Sequence, residues 1–321
     1  MGKPVIYLIV GPTASGKTSV SIRTAKKLGC EIISADSVQI YRGLNIGSAK
    51  PTLEEREGIP HYLLDCVNID EEFNVALYRR KAIGCIDDII QRGKKPLIVG
   101  GTGLYVNSLI FPLNFSNAKP NLERREELTE TENKNPGTLH KMLEKIDPAS
   151  AERIHPNDIK RTIRAIEIYE STGENMTSAG GDFANERNTE IQFEPVIAGL
   201  AMGRARLYER IEKRVDEMLK NGLLDEVKNI HDAGYSHDLT ALQALGYKQL
   251  LMYLNGEISF DEAVELIKRD TRRFAKRQIS WFKRDKRIKW FDTDEFESND
   301  ALCDAVIEYF SEEGKNYAGN E

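Results

Sequence analysis

Residues 11–18, Gly11-Pro12-Thr13-Ala14-Ser15-Gly16-Lys17-Thr18, fit the pattern G-x-x-x-x-G-K-[ST] in full. These residue types at this spacing suit one kind of chemistry. The glycines let the backbone wrap an anion, and the loop amides with the following helix N-terminus donate to phosphate oxygens. Lys17 adds a point charge, and the Thr18 hydroxyl is placed to hold Mg²⁺. The loop therefore binds a di- or triphosphate without specifying which. Enzymes that cleave ATP with such a loop also carry an Asp at the end of a neighbouring strand, which holds the metal through water. Asp36, closing "EIISAD", stands at such a place, whereas the run "KPLIVGG" ends in glycine.

Groups so far apart in the chain need a scaffold that brings them together. "PVIYLIV", "EIISAD", "KKPLIVGG", "EPVIAGLAM" and "RIKWFD" read as short buried strands separated by helical stretches. That order predicts an α/β fold, a P-loop NTPase-like parallel sheet flanked by helices on both faces. In such sheets ligands sit at the carboxyl ends of the strands, so the loop, Asp36 and Thr102 are expected on one rim. Between about Leu113 and Pro195 the sequence turns polar and helix-prone, is punctuated by prolines, and ends in the turn-rich "ENMTSAGGDFANERNTEIQFE". A helical insertion domain over 113–195 is expected there, with the core formed by 1–112 and 196–321.

The 321 residues carry a net charge of −6, which on average is wrong for a nucleic-acid binder. The average conceals an asymmetry. Lys268 to Lys289, "KRDTRRFAKRQISWFKRDKRIK", holds eleven Lys or Arg against two Asp, a net +9, so the rest of the chain carries −15. A basic helix on an acidic body is an electrostatic footprint for a polyanion, although a charged run is also what a solvated helix face looks like. No apolar run approaches the roughly 20 residues of a membrane span, and the N-terminus lacks a signal-peptide plan. The four scattered cysteines form no CxxC pair, which fits a reducing cytoplasm.

"GPTASGKT", "ISADSVQIYRGLNIGSAKP", "IPHYLLD", "LIVGGTGLY", "RIHPNDIKRTIRAIEI", "LYERIEKRVDEML", "ALGYKQL" and "RRFAKRQISWFKRD" together resemble the bacterial tRNA dimethylallyltransferase (tRNA isopentenyltransferase) family, from residue 5 to about 292. One departure is Ser48, where Thr is common in that family. The resemblance implies transfer of a dimethylallyl group from dimethylallyl diphosphate to N6 of the adenine just 3′ of a tRNA anticodon, with pyrophosphate leaving. Gly11 to Thr18 and Arg214 would hold the diphosphate with Mg²⁺. Asp36 would take the proton from the poorly nucleophilic exocyclic amine. Thr102 would hydrogen-bond near the reacting groups, and a Thr there also suits a helix N-cap.

The adenine must leave its stack to reach a buried base. Asp36, Ser37, Val38 and Gln39 would meet it, Gln39 offering both donor and acceptor. Lys160, Arg161, Thr162, Ile163 and Arg164 match the family's tRNA-contacting segment, although Ile163, Ile166 and Ile168 also suit the insertion's own core. Arg272, Arg273, Lys276 and Arg277 would meet RNA phosphates as a group. Trp281 and Phe282 suit either stacking on a base or burial against the sheet. The expected partners are the tRNA anticodon stem-loop and dimethylallyl diphosphate, with no membrane, and the chain is expected to act as a monomer. A small-molecule kinase, an adenylate isopentenyltransferase acting on AMP, and a non-catalytic P-loop RNA-binding switch stay open at this point.

Overall fold

The computed structural model describes residues 3–111, 121–176 and 192–318. In chain order they form β1 (Val5–Val10), α1 (Lys17–Leu28), β2 (Cys30–Ser34), β3 (His61–Tyr62), α2 (Val75–Gln91), β4 (Lys95–Gly100), α3 (Gly103–Ile110), α4 (Leu122–Lys134), α5 (Thr138–Ile146), α6 (Pro148–Arg153) and α7 (Ile159–Thr172). Then follow β5 (Glu194–Ala201), α8 (Arg204–Lys220), α9 (Leu223–Asp232), a short 3₁₀ turn, α10 (Tyr247–Leu254), α11 (Phe260–Phe282), β6 (Lys289–Asp292) and α12 (Asn299–Ala318).

The six strands make one parallel sheet in the order β3-β2-β4-β1-β5-β6. Five of them are the apolar runs of the sequence. The sixth, β3, is a two-residue edge strand inside "IPHYLL", too short to show a period. Alternate residues point to opposite faces of a strand. Tyr7, Ile9, Ile32, Leu97, Val196, Ala198 and Leu200 pack on one face with Val20, Ile22 and Ala25 of α1 and Val306 and Phe310 of α12. The intervening Ile6, Leu8, Ile33, Ile98 and Ile197 are equally buried on the other. Burial on both faces is why these strands read as continuous apolar runs instead of alternating ones.

The chain forms two compact units, Met1–Ile110 with Gln192–Glu321, and Phe111–Ile191. The described part of the second unit is α4 to α7, a helical bundle around Leu128, Leu139, Leu143, Ile154, Ile163 and Ile166. Asp158 caps α7 by accepting from the Arg161 amide at 3.2 Å, and Gly173 ends it in the left-handed conformation. No helix among the described residues is long and apolar enough to cross a membrane.

A buried carboxylate braces this bundle. Glu167 accepts from Arg125 Nε and Nη2, both at 2.8 Å, from Arg164 Nη1 at 2.7 Å, and from the Asn121 amide at 2.9 Å. Burial by itself raises the Glu167 carboxyl, but these hydrogen bonds outweigh it and hold the group below the usual range. A carboxylate lowered in the fold stabilises above its unfolded pKa, about 4.3, and the contribution fades as pH falls through the lower folded value. Glu167→Gln is expected to destabilise the helical unit by about 2 kcal/mol, less than a fully buried pair because both arginines reach water. Melting curves between pH 6 and 3 check this. The difference between wild type and variant should shrink below pH 4.3, and a constant difference would refute the linkage.

Candidate active site

The sheet delivers the phosphate loop at its centre. Val10, the last residue of β1, is in register with Gly100 of β4 and Gly199 of β5, so Gly11 opens the loop on the carboxyl rim. Gly16 turns the chain in the left-handed conformation, φ 93°, and α1 starts at Lys17. Lys17 Nζ donates to the carbonyls of Gly11 at 3.0 Å and Pro12 at 2.7 Å. Burial and the nearby Arg214 guanidinium bring its pKa down to about 7 against a partial offset from Asp36.

The loop also carries hydroxyls suited to phosphate. Ser15 Oγ is buried and makes no hydrogen bond among the described residues. Thr18 is exposed at the start of α1. Among the described residues no three His, Cys, Asp or Glu side chains cluster to hold a metal. Mg²⁺ keeps most of its waters and needs only one or two protein ligands beside substrate phosphates. Thr18 is the residue placed to be one of them.

Beside the loop, Asp36 follows β2. Its Oδ1 accepts from the amides of Val38 at 2.8 Å and Gln39 at 3.2 Å, while Oδ2 makes no hydrogen bond among the described residues. One oxygen fixes the carboxylate and the other stays unengaged. Thr102 joins this turn to the end of β4. Its amide donates to the Ala35 carbonyl at 3.1 Å, and its Oγ1 accepts from the Ser37 amide at 3.1 Å and donates to Ser37 Oγ at 3.3 Å. The hydroxyl is thus turned to Ser37, while the Thr102 carbonyl accepts from the amides of Tyr105 at 2.9 Å and Val106 at 3.1 Å at the start of α3.

Gln39 is a second correction. Its Oε1 accepts from Ser34 Oγ at 3.1 Å, and its Nε2 donates to the carbonyls of Ser48 and Ala49, each at 3.2 Å. In this conformation its amide braces the segment 37–50 and has no donor left to read an adenine. The same segment is held from its other end by Glu226, which sequence reasoning missed. That carboxylate accepts from the amides of Asn45, Ile46 and Gly47 at 2.9–3.2 Å and from Tyr247 Oη at 2.6 Å. Ser48, the departure from the family pattern, keeps a hydroxyl that donates to the Leu44 carbonyl at 2.6 Å.

Two helices close around the loop. Ala14 packs with Leu207 and Ile211 of α8 and Ala275 of α11. Arg214, one turn beyond Arg210 on α8, is half-buried, and burial lowers its pKa against attraction from Asp36. It is not the surface cation its charged neighbours imply. From α11, the buried Gln278 accepts from the Thr13 amide at 2.9 Å and donates to the Gly101 carbonyl at 3.0 Å. Its only signal in the sequence is a polar residue on the apolar stripe Ala275, Gln278, Phe282. Phe282 is buried, as one alternative from the sequence has it, and Trp281 packs on the start of α3.

The residues expected to contact RNA separate by exposure. On α11, Arg273, Lys276 and Arg277 are exposed, Arg273 to 63%. Arg272 is 26% exposed and pairs with Glu212 of α8 at 2.6 Å, so it stands apart from the group. On α7, Lys160 and Arg161 are exposed. Thr162 and Ile163 are buried inside the bundle, and Arg164 is tied to Glu167. A helix cannot present five successive side chains to one ligand, and the middle of "KRTIR" faces inward.

The profile of the IPP transferase family matches residues 39–285. The chain is 49% identical over 308 residues to the tRNA dimethylallyltransferase of Thermoanaerobacter sp. (strain X514), covering 95% of this chain and 97% of that one. Its structure is similar to that of the full-length tRNA isopentenylpyrophosphate transferase of Bacillus halodurans, with a TM-score of 0.75, 40% identity and 99% of each chain covered. It is also similar to a eukaryotic dimethylallyltransferase acting on tRNA, with a TM-score of 0.79 and 29% identity over 97% of this chain and 80% of that one.

If Arg214 holds phosphate oxygens, Arg214→Met should weaken binding of inorganic pyrophosphate with Mg²⁺ by roughly 10- to 100-fold, the worth of a charge-assisted hydrogen bond. Titration calorimetry reads this, and an unchanged affinity removes Arg214 from the anion site.

Proposed function

Since the chain belongs to the tRNA dimethylallyltransferase (IPP transferase) family, we propose that it transfers a dimethylallyl group from dimethylallyl diphosphate to N6 of the adenine immediately 3′ of the tRNA anticodon, position 37. The C–N bond forms as the allylic C–O bond breaks, and the electron pair of that bond leaves on pyrophosphate. The observation that carries this reading is the rim itself. A carboxylate with one bound and one unbound oxygen stands in the electrostatic reach of two cations at a phosphate loop.

Each group then has one task. The loop amides, Lys17 and Arg214 stabilise the charge that builds on the departing diphosphate. Mg²⁺, when bound beside Thr18, adds to that stabilisation as a Lewis acid. Asp36 Oδ2 accepts the proton that the adenine amine, a poor nucleophile because its lone pair is delocalised into the ring, loses as the C–N bond forms. Thr102 keeps Ser37 and the Asp36 turn in place. Arg273, Lys276 and Arg277 of α11 take RNA phosphates, as do Lys160 and Arg161 of the second unit.

Asp36→Asn should leave the binding of tRNA and dimethylallyl diphosphate intact and slow the chemical step by roughly 10²- to 10⁴-fold. Single-turnover transfer of labelled dimethylallyl to unmodified tRNA measures it, and a near-normal rate would eliminate Asp36 as the base. The parallel assay with free AMP should give no labelled product. Neutralising Arg273, Lys276 and Arg277 together should flatten the slope of log affinity against log salt by roughly 2, about 0.7–0.9 per lost contact. An unchanged slope would return α11 to a solvated face.

A further inference from the structure

Among the described residues Gln278 is the only buried polar side chain of α11, and nothing in the proposed reaction uses it. Its amide has one acceptor and two donors. Oε1 takes the Thr13 amide in the middle of the phosphate loop at 2.9 Å, and Nε2 gives a proton to the Gly101 carbonyl, next to Thr102, at 3.0 Å. The residue is only 6% exposed, while Lys276 and Arg277 beside it point to solvent.

The turn after β4 is shaped for this approach. A Cβ at Gly101 would lie 2.2 Å from Gln278 Nε2, and a Cβ at Gly103 would lie 2.2 Å from Trp281 Cδ1. The glycines of "GGTG" therefore admit two side chains of one helix. Through Gln278 the phosphate loop, the Thr102 turn and the basic helix share a single amide. Thr102 in turn holds the Asp36 turn through Ser37. The spacing between the leaving-group cradle and the base thus passes through this side chain.

We propose that Gln278 is a positioning residue for the transfer reaction: it sets the phosphate loop against the turn that orients Asp36, and it does so from the helix whose outer face meets RNA. This inference rests on the transferase reading above. It adds that the inner and outer faces of α11 act on different substrates, the inner on the diphosphate and the outer on tRNA.

The variants are Gln278→Met, which keeps length and loses both hydrogen bonds, and Gln278→Glu, which keeps an acceptor for Thr13 but turns a second oxygen toward the Gly101 carbonyl. In the full-length enzyme, Gln278→Met is expected to raise KM for dimethylallyl diphosphate and to lower kcat, each by roughly 10-fold, the worth of one or two buried hydrogen bonds. KM for tRNA should stay within about threefold. Gln278→Glu should retain the diphosphate KM better than Gln278→Met while losing as much kcat. A changed tRNA KM with an unchanged diphosphate KM would make Gln278 an RNA contact and overturn the proposal. A lowered melting temperature with both kinetic constants unchanged would make it a packing residue only and overturn it equally. If the wild-type enzyme transfers no label to tRNA, the transferase reading fails before this one is reached.

Discussion

Lys17 and Arg214 repel each other, and both have lost much of their water. Two half-buried cations within electrostatic reach of each other are costly, and the chain tolerates them because Asp36 attracts both and two loop carbonyls accept from Lys17. The cost is also the source of function. In the proposed reaction a diphosphate anion would complete the arrangement, and charge growing on it during bond breaking would meet groups already in place. Electrostatic stabilisation of this kind needs fixed donors, so the rest of the unit has to hold three chain segments still: the phosphate loop, the Asp36 turn and α8.

The parallel sheet does the coarse part of this by placing every strand's carboxyl end on one rim. The fine part falls to polar side chains that brace backbone from inside. Asp36 pins its own turn through two amides, Thr102 fastens that turn to the end of β4, Gln39 and Glu226 hold segment 37–50 at either end, and Gln278 spans from the loop to Gly101. Loops lack the ladder of a strand or helix, so their amides and carbonyls must find side-chain partners when buried. The long motif "ISADSVQIYRGLNIGSAKP" is specific because so many of its residues answer one another in this way.

Helix periodicity sorts the remaining charge. On α11 one face carries Ala275, Gln278 and Phe282 inward while Arg273, Lys276 and Arg277 face water. On α7 Lys160 and Arg161 are exposed while Ile163, Ala165 and Ile166 build the bundle core. A run of cations in a helical sequence is thus only partly a surface, and its members differ in what they can touch.

The sequence by itself determined the phosphate loop, five of the six strands and their parallel arrangement. It also determined the family, because those features rest on local pattern: glycine spacing, uninterrupted apolar runs, proline punctuation and long ordered motifs. It placed Asp36 and Thr102 just past strand ends, and Lys17 and Thr18 at the start of the helix after the first strand, for the same reason. Only the tertiary structure decided which polar groups are already engaged. Gln39 and Arg164 are consumed by internal partners, Arg272 pairs with Glu212, and Thr162 and Ile163 lie inside the bundle. Gln278 and Glu226 act through contacts 265 and about 180 residues away in the chain. A hydrogen bond between distant residues leaves no period and no spacing in a single sequence, so it is settled only when the fold brings donor and acceptor within 3 Å or so of each other.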